Sequence, residues 1–266
     1  MKIGFLGSGK MAEAILSGVL QSELAAADDI TACDKSEERL ALMRNQFGVK
    51  ATADAAEMIK KSEVVIIAVK PQDTELLLSS LTSLFTHDHL IISIAAGKKL
   101  EFLRRVCGSD SRLVRVMPNL ALMAQEGMSV FCMADGCTEE DRDITAQIFG
   151  SAGAVLELPE NCFDAVTALS GSGPAFIAYF LKGLIDGAVR LGLEESAARL
   201  LAEQTMIGTA VYLQESGRDI KAFIEAVCSP GGTTEAGMNV LSASDAFSVL
   251  EKTLAAAAAR SRGLGS

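Results

Sequence analysis

Tryptophan is absent from this chain, histidine occurs only twice, and no C-x-x-C pair stands among its six cysteines. No cluster of Lys and Arg is present either, and the net charge is −10. A nucleic-acid surface is therefore not expected, because neutralising phosphates needs clustered cations. The thiols at 33, 107, 132, 137, 162 and 228 read as reduced and mostly buried, as in a cytosolic protein, and no metal site is expected. No run approaches the roughly 18 apolar residues of a membrane span. MKIGFLGSG has one charge and a short apolar run that enters a glycine turn, unlike a signal peptide. The expectation is a soluble, cytoplasmic protein without membrane partners.

What is present is 49% hydrophobic and 22% charged over 266 residues, a composition that buries a large core. The length suits two domains of roughly 100–200 residues each. Up to residue 158, short apolar runs alternate with amphipathic stretches. KIGFL, DITAC, EVVIIAV, LIISIAA, RLVRVM, MSVFCM and AVLEL read as strands, with helices over Lys10–Ser22 and EERLALMRNQF among them. This alternation predicts an α/β domain, a mostly parallel sheet covered by helices on both faces. After Pro159 the strand signals stop and helical spacing takes over, so the expected domains are 1–159, binding a dinucleotide, and 160–266, all-α. In Pro174–Gly192 the only charges are Lys182, Asp186 and Arg190, along one stripe. A helix apolar over the rest of its circumference needs a cover, and a second copy of the chain suits it.

The start of the chain carries Gly7-x-Gly9-x-x-Ala12 between a predicted strand and a predicted helix. The first glycine allows a tight turn, the second lets backbone approach a pyrophosphate, and the small third residue lets the helix sit close. In that context Gly7, Ser8, Gly9, Lys10 and Met11 are expected to bind a dinucleotide. At the end of the second strand, CDKSEER gives mixed signals. Asp34 stands where a carboxylate would accept from an adenosine ribose hydroxyl and favour NAD. Lys35, Ser36 and Arg39 are residue types that hold a 2′-phosphate. Asp34 or Ser36 could equally cap the next helix.

His87 and His89, in FTHDH, read as solvated loop residues. Oxidising an alcohol requires a base of near-neutral pKa, whereas a basic imine can take its proton from solvent and then needs only a hydride. AVKP (Ala68, Val69, Lys70, Pro71) closes a strand where its backbone would line a cofactor crevice, although Lys70 could also be an exposed loop lysine. SIAAG, with Ala96 and Gly97, and RVMPN, with Asn119, follow strands and reach the same sheet edge. LSGSGPAF reads as a loop opening a long helix, with Pro174 in its first turn. SPGGTTEAG (Ser229–Gly237) interrupts helical sequence with proline, two glycines and two threonines. Such a run suits a loop that brings backbone N–H groups and hydroxyls to a small polar molecule.

With GSGKMAEAI, AVKP, AAG, MPN, LSGSGPAF and SPGGTT in this order, the chain resembles the pyrroline-5-carboxylate reductase family over almost its whole length. The resemblance implies an N-terminal Rossmann domain, an all-α dimerisation domain, and reduction of a cyclic imine to proline by NADPH. It implies NADP as cofactor, with NAD as the weaker alternative, and a homodimer or a higher oligomer of dimers. It also implies that Asn119, Ser172, Gly173, Gly231, Gly232 and Thr233 contact the substrate, with amides near Gly232 and Thr233 on its carboxylate. Thr234 would be catalytic, orienting or protonating the ring nitrogen. After MPN the family commonly has Thr-Pro, where this chain has Leu120-Ala121. A β-hydroxyacid dehydrogenase would carry a lysine and an asparagine where Ile177 and Leu181 stand. A mere dinucleotide sensor would have no need of SPGGTT.

Overall fold

The computed structural model describes residues 1–109 and 111–264. Internal contacts divide it into two compact units: Met1–Ser172 with the chain from Ala257 onward, and Gly173–Ala256.

The first unit is built on eight strands: β1 Ile3–Leu6, β2 Ile30–Cys33, β3 Lys50–Thr52, β4 Val64–Ile67, β5 Leu90–Ser93, β6 Arg112–Pro118, β7 Gly127–Met133 and β8 Gly153–Glu157. They form one sheet in the order β3-β2-β1-β4-β5-β6-β7-β8. Every neighbouring pair is parallel except β6–β7. The chain leaves β1 toward β2 and β3, then returns to build β4, β5 and β6 on the other side. Such a reversal of strand order opens a crevice beyond the carboxyl ends of the strands. Register brings those ends level, since Leu6 pairs with Ile67, Ile67 with Ser93, and Ser93 with Arg115.

β1, β4 and β5 are buried at every position, which explains their unbroken apolar sequence. The helices that cover them are α1 Lys10–Gln21, α2 Glu37–Phe47, α3 Ala55–Lys60, α4 Pro71–Leu81, α5 Leu100–Cys107 and α6 Glu139–Gly150. Adjacent strand residues point to opposite faces, so Phe5 joins one core with Ile15, Leu16 and Phe149, and Leu6 another with Met58, Leu78 and Leu103. Each such side chain contributes roughly 1.5–3 kcal/mol by burial. All six cysteines are free; Cys33, Cys107 and Cys132 are buried and the other three half-buried. Burial pushes the Cys107 and Cys132 thiols up to about 12.

Two expectations for this unit need correction. His89 is not a solvated loop residue. It is buried, its Nδ1 accepts the Thr86 N–H at 3.1 Å, and its Nε2 therefore donates to the Ile59 carbonyl at 3.1 Å. LSGSG is not a loop: α7 Phe163–Val166 continues through a π-helical turn over Thr167–Gly171. The Ser172 N–H closes that turn on the Thr167 carbonyl at 2.8 Å. This segment also explains why the first unit runs past residue 159. Phe163 and Val166 pack with Val130 and Cys132 of β7, and Arg115 stacks on the Phe163 ring at 4.5 Å while pairing with Glu160 at 2.9 Å.

The second unit holds α8 Gly173–Arg190, α9 Glu195–Ser216, α10 Ile220–Val227, α11 Thr233–Ser242 and the start of α12 Ala246–Leu264. Among its residues only Gly173 and Ala198 are buried, while Tyr179, Leu191 and Phe247 are 77%, 90% and 80% exposed. It has no core of its own. The helical stretch Glu160–Arg190 is, by length and composition, long and apolar enough to cross a membrane, one 18-residue window of it having mean hydropathy 1.2. That corrects the expectation of no such segment: the small Gly, Ser and Thr residues break its apolar run without lowering its mean hydropathy much.

Candidate active site

The chain leaves β1 at Leu6 and turns through Gly7, whose φ is +98°. A Cβ there would stand 2.8 Å from the Ala68 carbonyl carbon and oxygen, so the turn lies directly on the backbone after β4. Gly7→Ala should therefore cost at least about 2 kcal/mol, from a strained φ and an unrelievable backbone clash. Urea unfolding of the variant measures it, and an unchanged midpoint would refute that packing.

Gly9 is glycine for a different reason. Its φ is an ordinary −72°, and a Cβ would meet nothing within 4 Å. It is the N-cap of α1 and gives that helix no side-chain cap. The first-turn amides of α1 are thus left open beside free space, the arrangement that takes a phosphate at the positive end of a helix. The residues fit a dinucleotide pyrophosphate.

This turn opens on a crevice of about 670 Å³, lined among others by Gly7, Gly9, Asp34, Lys35, Val69 and Lys70. Ala68 lines it too. That volume lies within the range of cofactor and ligand pockets, roughly 300–1,000 Å³. Of the other residues expected to hold a cofactor, Ser8 is wholly buried and its N–H donates to Asp34 Oδ2 at 2.8 Å. Asp34 Oδ1 accepts the Ser36 N–H at 3.0 Å, and the Ser36 hydroxyl caps α2 by accepting the Arg39 N–H at 3.3 Å. Lys10 is exposed and reaches Glu13 at 3.2 Å; Met11 is half-buried. Burial pushes the Glu13 carboxyl up, but hydrogen bonds from Arg39 and Lys10 outweigh it and hold the group below the usual carboxylate range. Lys70 is exposed and stands at the N-cap position of α4 without a side-chain cap, with Pro71 at the first helical position. Ala96 and Gly97 follow β5 without lining the crevice; Gly97 has φ +77° and lies against Leu264.

Asn119 follows β6 and is engaged structurally. Its Oδ1 accepts the Ala121 and Met128 N–H groups at 3.2 and 3.1 Å, and its Nδ2 donates to Ser170 at 3.4 Å. Leu120-Ala121 begins a 3-10 turn over Leu120–Ala124, capped by Asn119, which gives this connection its shape without Thr-Pro. Ser172 and Gly173 sit where the π turn passes into α8.

In the second unit, α10 ends at Val227 and Gly231 turns the chain with φ +71°. The Gly231 N–H donates to Glu235 at 2.8 Å and the Gly232 N–H to the Ser229 carbonyl at 2.9 Å. Gly232 is the N-cap of α11 and supplies no side-chain cap, so the amides opening at Thr233 and Thr234 are left unsatisfied by it. Thr233 is exposed and Thr234 half-buried. A helix N-terminus of this kind receives a carboxylate as readily as a phosphate.

A protein from Arabidopsis thaliana described as pyrroline-5-carboxylate reductase is 40% identical over 263 residues, 99% of this chain and 95% of its own length. The chain belongs to the pyrroline-5-carboxylate reductase family. The family's dimerisation model, "Pyrroline-5-carboxylate reductase dimerisation", matches residues 160–264. A model described as "NADP oxidoreductase coenzyme F420-dependent" matches residues 2–97. The pyrroline-5-carboxylate reductase of Coxiella burnetii has a solved structure that matches with TM-score 0.95 at 30% identity, covering 100% of this chain and 98% of that one. The Plasmodium falciparum pyrroline carboxylate reductase, solved with NADP bound, matches with TM-score 0.90 at 26% identity, covering 100% and 98%. The reductase fold thus runs through both units of the present chain. Sequence reading missed Ala53 and Ala55, which also line the crevice. They flank the end of β3, a strand of three residues with too little apolar pattern to be recognised.

Proposed function

We propose that this chain reduces 1-pyrroline-5-carboxylate to L-proline with NADPH, the last step of proline biosynthesis, NADH serving only as a weaker alternative. NADPH supplies the hydride, which goes to the carbon of the C=N bond. The observation that carries this reading is the SPGGTT loop, which leaves the N-terminus of α11 uncapped with two threonine hydroxyls beside it. Amides around Gly232 and Thr233 hold the substrate carboxylate, and the Thr234 hydroxyl orients or protonates the ring nitrogen. The amides opening α1 hold the pyrophosphate, with AVKP and AAG along the crevice. Residues 160–266 act as the dimerisation and substrate domain, with Asn119, Ser172 and Gly173 shaping the pocket.

A basic imine makes no demand for a histidine base, and His89 offers none, being tied to Thr86 and Ile59. Alcohol oxidation finds no support either, since Ile177 and Leu181 are apolar. A second copy of the chain, rather than a membrane, covers the apolar helices of the second unit, and the protein works in the cytoplasm. Each site is completed by two chains, the SPGGTT loop of one reaching the nicotinamide held by the glycine turn of the other.

The test is turnover by the purified protein: NADPH consumption on adding pyrroline-5-carboxylate, and no reduction of NADP+ with 3-hydroxy acids. The reverse pattern would replace this reading with an alcohol dehydrogenase. Thr234→Ala should lower kcat by about 100-fold, the scale of a positioned proton donor, with NADPH affinity unchanged by fluorescence titration. An unchanged kcat would remove Thr234 from the reaction.

A further inference from the structure

Glu160 opens the segment that leads through α7 and the π turn to Ser172 and Gly173. Its Oε1 accepts two bonds from elements distant in sequence, the Leu100 N–H at 2.8 Å and Arg115 Nη1 at 2.9 Å. Leu100 is the first residue of α5, whose N-cap, Lys99, offers no side-chain cap. A first-turn amide has no partner within its own helix, so Glu160 supplies an acceptor that the local sequence lacks. Arg115 lies on β6, the strand that ends at Pro118 just before Asn119, and is 5% exposed. Its guanidinium rests on the Phe163 ring, which holds the carboxylate's partner in place. One carboxylate oxygen therefore joins three connections, and each carries a motif of the site: AAG before α5, MPN at the end of β6, and SGSG beyond α7.

The AAG turn is shaped locally but anchored remotely. The Lys98 N–H closes it on the Ala95 carbonyl at 3.2 Å, with Gly97 in the third position at φ +77°. The Ser93 hydroxyl accepts the Ala95 N–H at 3.3 Å. These bonds set the curve of the turn, and Glu160 sets its direction by holding Leu100 just beyond it. Resting on the reductase reading above, which gives AAG to the cofactor and Asn119, Ser172 and Gly173 to the substrate, we propose that Glu160 is a positioning residue for hydride transfer. It acts through the three connections and not on the reacting atoms. It keeps the donor side and the acceptor side of the reaction in one frame, where a displacement of about 1 Å is enough to cost about 100-fold in rate.

The test uses the purified oligomer, with kcat counted per bound NADPH so that unfolded chains do not enter. Glu160→Ala should lower kcat about tenfold to a hundredfold. NADPH affinity should stay within about threefold, because the glycine turn follows β1, two places from β5 in the sheet. Glu160→Gln keeps an oxygen acceptor for both donors and should recover kcat to within about fivefold of the wild type. Glu160→Ala also leaves the buried Arg115 without its partner, which destabilises the fold, so a second pair of variants isolates the Leu100 bond. Leu100→Pro removes that N–H at the first position of a helix, where proline is tolerated after the extended Lys99 (φ −80°, ψ 162°). Leu100→Ala trims the same side chain and keeps the N–H. The proline variant should have a kcat at least about tenfold below that of the alanine variant. Equal turnover by those two variants overturns the inference. So does a Glu160→Ala protein that melts earlier but keeps the parent's kcat per bound NADPH, or a Glu160→Gln protein as slow as Glu160→Ala. In each of these cases turnover by the wild type leaves the reductase reading standing. A wild type that fails to reduce the imine with NADPH takes down both.

Discussion

Gly9→Val should fold as the parent does and bind NADPH at least about 100-fold more weakly. The two halves of this expectation come from separate observations. A side chain at Gly9 meets no protein atom within 4 Å and sits on a backbone with φ −72°, so the fold has no objection to it. The same side chain would occupy the space over the open amides of α1, where helix N-terminus and backbone donors together receive a pyrophosphate. Losing two or more charge-assisted hydrogen bonds at 1.5–3 kcal/mol each gives a loss of this size. Thermal melts and cofactor titrations on one preparation check both halves. A variant with normal NADPH affinity would show that the glycine turn is not the phosphate site.

Mixing the inactive Gly9→Val and Thr234→Ala proteins and letting subunits exchange should restore activity. If each site takes its glycine turn from one chain and its SPGGTT loop from the other, a mixed dimer has one site with both defects and one with neither. Random exchange in a twofold dimer would then return about one quarter of wild-type activity. The expectation rests on the second unit, where only Gly173 and Ala198 are buried and long apolar side chains stand exposed. In the proposed reading, interlocking those helices across two copies covers them and carries α11 to another chain. Mass spectrometry must show that mixed dimers formed. With that control, activity no higher than either variant alone would place both halves of each site on one chain.

Much of this was legible in the sequence because local signals agreed with one another. EERLALMRNQF forms α2 over those same residues, with Ser36 at one end and Gly48, at φ 69°, at the other. Its capping serine and left-handed glycine are readable without a structure. β4 and β5 were visible as buried apolar runs for the same kind of reason. What was hidden depended on neighbours distant in sequence. His89 looks polar and exposed until Ile59 supplies the carbonyl that holds it. LSGSG has the composition of a loop, yet one wider helical turn closes on Thr167 and keeps the helix going. Gly7 and Gly9 belong to one motif, but one is required by the Ala68 backbone and the other only by open space. The engagement of Arg39 was likewise invisible, because Glu13 stands 26 residues away.

Hydride delivery from NADPH to the imine carbon of pyrroline-5-carboxylate is the reaction proposed for this chain. It is tested most directly by supplying NADPH deuterated at the transferring position of the nicotinamide and following the label by mass spectrometry and NMR. The predicted result is L-proline carrying one deuterium, on C5 and on no other carbon. Proline without label, or NADPH left unoxidised in the presence of the imine, would contradict it.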